Sequence, residues 1–146
     1  MESEGMITMI LIAAVVFTTV GWFHFAVLSR TVPPVIDSNM SRAAQHTSLV
    51  ALIGTLHAFE AFIYALVFRW SQSLGLGGFK PGEPLSLMDV YYFSLVNYTT
   101  LGLGDIYPSG HLRFLAGMES LGGFLLLSCS ASYLFSVAQS HVKKGN

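Results

Sequence analysis

The stretch Thr99-Thr100-Leu101-Gly102-Leu103-Gly104-Asp105 decides how the chain is read. Two glycines at alternate positions, flanked by hydroxyl residues and an acid, suit neither a helix nor a strand. Glycine permits a backbone in which successive carbonyls turn to the same side. Carbonyls lined up in this way around an axis replace the water shell of a dehydrated cation. Alone the string is a weak signal, and in a soluble protein a glycine turn between two helices is the better reading. Its surroundings change that: an aromatic-rich segment, residues 89–98, precedes it, Ile106-Tyr107-Pro108 continues it, and an apolar run begins near Phe114.

Composition sets the compartment. The chain has 146 residues, 53% of them hydrophobic and 10% charged, with a mean hydropathy of +0.60. A soluble domain carries about a quarter charged residues, so this chain is too apolar to be covered by its own polar surface and reads as a membrane protein. The net charge of −1 leaves no basic stripe to neutralise phosphates, which argues against a nucleic-acid partner. The single Cys129 lies in an apolar run and reads as a packing residue with no intrachain disulfide to make. The acidic start, Glu2 and Glu4, followed by a long apolar run, does not resemble a cleaved secretory signal.

Taken in order, residues 6–29 carry no formal charge and are long enough to cross a hydrocarbon core about 30 Å thick. His24 lies near their end, and Pro33-Pro34 is expected to stop the helix. Asp37-Ser38-Asn39 offers caps, so a second helix is expected over residues 38–70, with Arg69-Trp70 at the interface. Inside it, His57 and Glu60 are three apart and share a face. Ionisable groups inside a membrane are costly and face protein or water. Here a metal site or proton relay competes with a structural role, in which Glu60 is protonated or hydrogen-bonded to the neighbouring short helix, with His57 as partner. The structural role ranks first.

Residues 71–84, rich in Gly, Ser and Pro, read as a loop. Ser86 and Asp89 then form a capping box that opens a short helix over residues 86–98. At about 18 Å it cannot span a bilayer and suits a re-entrant segment. Its carbonyl end points toward the membrane centre, where the helix dipole favours a cation. Tyr91, Tyr92, Phe93 and Tyr98 read as a packing cuff around the glycine string. A last helix is expected over residues 111–141, with Gly117, Gly122, Gly123 and Ser128 allowing close packing. Glu60 lies roughly 13 Å from Arg69, and Glu119 about 9 Å from Arg113. The two acids are therefore expected at similar depth, bracing the short helix from behind.

The stretch from Tyr91 to Pro108 resembles the pore region of the tetrameric potassium-channel superfamily, whose signature is TxGYGD or TxGFGD. Arg113, Glu119 and Gly122-Gly123 extend the resemblance to its small prokaryotic pore-only members, over about residues 85–140. Before that stretch the likeness is only to apolar helices of suitable length, the first of them additional to the two-span pore unit. The resemblance implies an all-α integral membrane protein: three transmembrane helices plus a re-entrant pore helix and a selectivity-filter loop, residues 99–105, in a single membrane domain covering residues 1–146. A single motif encloses no pathway, so a homotetramer is expected. The ion filter would be Thr100, Leu101, Gly102, Leu103 and Gly104, with K+ held at Thr100, Leu101, Gly102 and Leu103. Thr99, Asp105, Tyr92, Tyr98, Glu60 and Glu119 would support the filter and its outer mouth. No catalytic residue or organic cofactor is expected; the partners are further copies of the chain and membrane lipid.

Leu103 stands where this superfamily usually has Tyr or Phe. A phenol there donates a hydrogen bond worth roughly 1 kcal/mol per subunit, which leucine cannot. Potassium preference, less strict than with Tyr, is the expectation, and a non-selective cation channel on the same scaffold is the alternative. A haem or metal redox protein using His24 and His57 is a remote one, since His24 reads as near the inner surface and His57 as nearer mid-membrane. A non-conducting accessory subunit is another. Arg30, Arg42, Lys143 and Lys144 on one side against Arg69, Lys80 and Arg113 on the other lean only by four to three toward a cytoplasmic C-terminus. The order of pore helix, filter and last helix in the resemblance implies that orientation, with an outer N-terminus and a plasma (inner) membrane location. No span carries basic residues at every third position, so steep voltage sensing is not expected. The histidines and acids leave proton sensitivity open.

Overall fold

The computed structural model describes residues 2–80 and 85–143, with side chains described as far as residue 139. The end of the predicted loop, residues 81–84, and Lys144 lie outside them. Six elements follow one another: α1 (Glu2–Ile36), α2 (Arg42–Ser73), β1 (Gly77–Lys80), α3 (Leu87–Tyr98), β2 (Tyr107–Gly110) and α4 (Leu112–Lys143). The helices α1, α2 and α4 are each long and apolar enough to cross a membrane, and α3, at 12 residues, is not. The chain is an all-α membrane protein with three spanning helices.

A single stripe organises α1. Met9, Ala13, Val16, Val20, His24, Leu28 and Val32 are its buried residues, spaced three or four apart as one helical face requires. The opposite face leaves Leu11, Val15 and Trp22 more than 60% exposed, as a lipid-facing surface does. Since lipid is as apolar as leucine, close packing and polar contacts between helices hold the bundle together. Two apolar clusters result. One joins Val16 and Val20 of α1 to Tyr64 and Phe68 of α2, Phe93 and Tyr98 of α3, and Leu115 and Leu126 of α4. The other joins Leu28, Val32, Leu49, Ile53, Leu56 and Val137. The buried polar side chains of His24, His57, Glu60 and Ser130 lie between them along the helices.

Two boundaries and one connection differ from the sequence reading. The helix α1 continues through Pro33 and Pro34 to Ile36. The prolines strand the carbonyls of Ser29 and Arg30, but both residues are exposed, where solvent satisfies them, and Val32 anchors the last turn in the second cluster. The helix α2 starts at Arg42 rather than near Ser38, with Ser41 accepting from the Ala44 amide at 3.3 Å. Ser38 is already committed, its hydroxyl donating to the Val35 carbonyl at 2.7 Å. The Gln45 amide then closes the corner by donating to the carbonyls of Ile36 and Ser38. Finally, β1 and β2 form an antiparallel ladder that the sequence did not announce, pairing Gly77 with Gly110 and Lys80 with Tyr107. Phe79 of β1 packs against Phe68 at 5.6 Å and Phe93 at 5.0 Å, so the chain leaving residue 106 is tied to α2 and α3.

Candidate functional site

The α3 helix opens as its sequence predicts: Ser86 accepts from the Asp89 amide, and the Asp89 carboxylate accepts from both the amide and the hydroxyl of Ser86. These bonds hold the Asp89 carboxyl below the usual carboxylate range. The helix ends at Tyr98. Beyond it, Thr100, Gly102 and Gly104 have φ of 60°, 56° and 79°, and the residues between them do not share this left-handed sign. For Thr100, a β-branched residue, that conformation is strained and needs its surroundings to enforce it.

The surroundings are hydrogen bonds back to α3. The amide of Thr100 donates to the Asn97 carbonyl at 2.9 Å, and those of Leu101 and Gly102 donate to the Val96 carbonyl at 3.0 Å and 3.4 Å. In a trans peptide the carbonyl points opposite to the N–H of the next residue. Three amides turned toward α3 therefore send the carbonyls of Thr99, Thr100 and Leu101 away from it, on one side. None of the described residues donates to the carbonyls of residues 99–104. The loop is exposed, with Leu101 65% and Leu103 58% accessible. Asp105, at the end of the loop, lies beside the Tyr92 phenol and raises its pKa.

Both predicted acids reach α3. Asn97 donates to Glu119 Oε2 at 2.6 Å and to the Ala116 carbonyl at 2.9 Å. Ser94 lies against Glu119 Oε1 and, at 2.6 Å, the Ala61 carbonyl. One hydroxyl proton cannot serve both acceptors, and the count closes when Glu119 is itself protonated. Glu60 Oε2 accepts from the Tyr98 phenol at 2.6 Å. Gly123 of α4 lies so close to the end of α3 that a Cβ there would come within 2.0 Å of the Tyr98 carbonyl. Ser120 adds a bond to the Asn97 carbonyl at 3.0 Å. The C-terminal turn of α3 is thus fixed by side chains of α2 and α4.

His24 departs from its predicted place. It is fully buried, with Nδ1 2.9 Å from Glu60 Oε1 and its ring stacked on His57 at 5.1 Å between centroids. The two histidines are level after all, because α1 runs on past its prolines and packs against α2 and α4 over its length. His24 and His57 do not bracket a haem: their rings are 5.1 Å apart, and both Nδ1 atoms already meet one carboxylate. Ser130 was missed by the sequence reading. Its hydroxyl lies 3.1 Å from His57 Nε2 and 3.2 Å from His24 Nε2. Sequence predicts only packing for the small residues of the last helix, and nothing in it separates Ser130 from Ser128 or Ser132. Cys129 is partly buried beside an apolar cavity lined by Phe17, Phe25 and Leu125.

Two spanning helices bracketing a helix too short to cross, followed by a loop of one-sided carbonyls, make the pore unit of an ion channel. The family model described as an ion channel matches residues 51–140, and the chain belongs to that family. The match takes in most of α2 and all of β1, α3, the 99–105 loop and β2, together with α4 up to residue 140; α1 lies outside it. No curated protein matches the chain.

Proposed function

We propose that the chain is a potassium-preferring channel that conducts as a homotetramer, with the 99–105 loops of four copies facing one another across the axis. The observation that carries this reading is the alternation of left-handed φ at Thr100, Gly102 and Gly104, which with the amide bonds to α3 leaves a row of carbonyls that no described residue serves. Such a row is expensive unless a cation or water takes it up. The Thr100 hydroxyl and the carbonyls of Thr100, Leu101, Gly102 and Leu103 would form successive rings for bare K+, with Gly104 completing the turn outward. Thr99 stands behind the path. Each ring must hold an ion weakly enough to pass it to the next. The carbonyl end of α3, carrying the negative end of its dipole, faces the path from below.

Asp105, beside the Tyr92 phenol whose pKa it raises, would stand at the outer mouth and concentrate cations. Glu60 and Glu119 would act through α3, fixing the turn whose carbonyls anchor the loop. In this reading the N-terminus lies outside and the C-terminus in the cytoplasm of a plasma (inner) membrane. Leu103 favours a looser outer half: among the described residues the amide bonds to α3 end at Gly102, and leucine adds no polar tie. A non-selective cation channel is the reading that would follow if this half cannot hold its rings.

Potassium-driven flux into liposomes containing the purified protein, with sodium as competitor, tests the proposal. Flux that potassium supports and sodium supports less is the expected result. Equal permeability moves the assignment to the non-selective channel, and no flux in either ion contradicts conduction altogether.

A further inference from the structure

We propose that His24 is a positioning residue for the 99–105 loop: through the Glu60 carboxyl it fixes Tyr98, which makes α1, outside the family match, part of the loop's frame. Glu60 is fully buried, and its two oxygens face different helices. Oε1 lies 2.9 Å from His24 Nδ1 of α1. Oε2 accepts from the Tyr98 phenol of α3 at 2.6 Å and lies 3.1 Å from His57 Nδ1. The last torsion of a glutamate is broad, so its own rotamer does not set the plane of the carboxyl group. A contact at each oxygen does. Among the described residues, His24 is the only side chain that meets Oε1. The tie is indifferent to where its proton sits, since the same distances close with an ionised or a protonated Glu60.

The His24 ring is itself held. Its Nε2 lies 3.2 Å from the Ser130 hydroxyl of α4, which also lies 3.1 Å from His57 Nε2, and the two rings stack at 5.1 Å. His57 closes the circuit with Nδ1 3.0 Å from the Tyr98 hydroxyl. A functional geometry is as exact as the contacts that lock its supporting side chains. Here those contacts come from all four helices.

Tyr98 in turn holds the anchor of the loop. Its carbonyl lies against Gly123 of α4, and the two residues before it, Val96 and Asn97, accept the amides of Thr100, Leu101 and Gly102. Asn97 is tied to α4 through Glu119 and Ser120, whereas the Tyr98 phenol is the tie to Glu60 of α2. Removing the His24 contact would leave Oε1 buried without a partner, which is costly. The carboxyl would turn to find one, and Oε2 would leave the phenol.

Two substitutions of similar polarity separate this role from packing. In His24→Asn the side-chain amide takes the place of Nδ1 and keeps the contact with Glu60. In His24→Gln it reaches the place of Nε2 and keeps the contact with Ser130 instead. An amide both donates and accepts, so it serves either arrangement of protons. Hydrogen exchange of the Thr100, Leu101 and Gly102 amides, followed by NMR in nanodiscs, should quicken roughly fivefold in His24→Gln, the worth of one hydrogen bond. It should stay near wild type in His24→Asn. Val20→Ala, which trims buried α1 packing but no polar contact of Glu60, should leave these amides unchanged. In a Tyr98→Phe background His24→Gln should add nothing, because both act through the same phenol. Equal exchange in His24→Asn and His24→Gln, quickening in Val20→Ala as large as in His24→Gln, or additive effects of His24→Gln and Tyr98→Phe would each overturn the role.

The consequence for conduction rests on the channel reading above. His24→Gln should lower the ratio of potassium to sodium flux, and His24→Asn should not. An unchanged ratio beside quickened exchange would overturn the link from His24 to selectivity. The expected exchange pattern in a protein that passes no ion supports the role of His24 and counts against conduction alone.

Discussion

Gly123 carries the tightest steric demand in the bundle. A methyl group there would sit 2.0 Å from the Tyr98 carbonyl oxygen, well inside contact distance, and the atom it meets is backbone. Gly123→Ala should therefore push α3 away from α4, at a cost of about 1–3 kcal/mol. A lowered unfolding temperature in detergent, together with loss of potassium flux, checks this; unchanged values for both would show that α3 has slack. Glu60 and His57 were legible as a pair because helical spacing puts residues three apart on one face. His24 was not: its level depends on how α1 packs against its neighbours, which no local pattern records. Ser130 was illegible for a simpler reason, being one serine among several on the same helix.

Among the elements, α3 is the one whose start can be read letter by letter. Ser86 and Asp89 satisfy each other's amides, and Ser86→Ala should cost about 1 kcal/mol of local helix stability. Bonds from Ser86 hold the Asp89 carboxyl below its usual range. Stabilisation from a depressed carboxyl is present above its unfolded value and is lost as pH falls through the folded one. Amide exchange in the first turn of α3 should accordingly quicken on strong acidification in the wild type. In Ser86→Ala it should already be fast at neutral pH, and equal exchange in the two proteins at neutral pH would refute the cap's role. The ladder of β1 and β2 escaped the sequence because four-residue strands rich in Gly and Pro carry no alternation to detect. The course of α1 through Pro33-Pro34 escaped it because local breakers were outweighed by tertiary packing of Val32 and by exposed carbonyls.

At the scale of the whole molecule, three spanning helices and one short one follow from hydropathy and length, and the family match agrees with them. What one chain leaves open is also physical. Its outward face is apolar, and its glycine loop is exposed with carbonyls that no described residue serves. Neither condition is stable in isolation: lipid answers the first, and three further copies of the chain around an axis are the proposed answer to the second.

The most direct measurement of that claim is a cryo-electron microscopy map of the assembled protein in potassium-containing lipid nanodiscs. The account predicts a fourfold axis, with density for successive ions on it, level with the backbone oxygens of residues 100–103. An assembly without fourfold symmetry, or one that carries those residues away from its central passage, would contradict it.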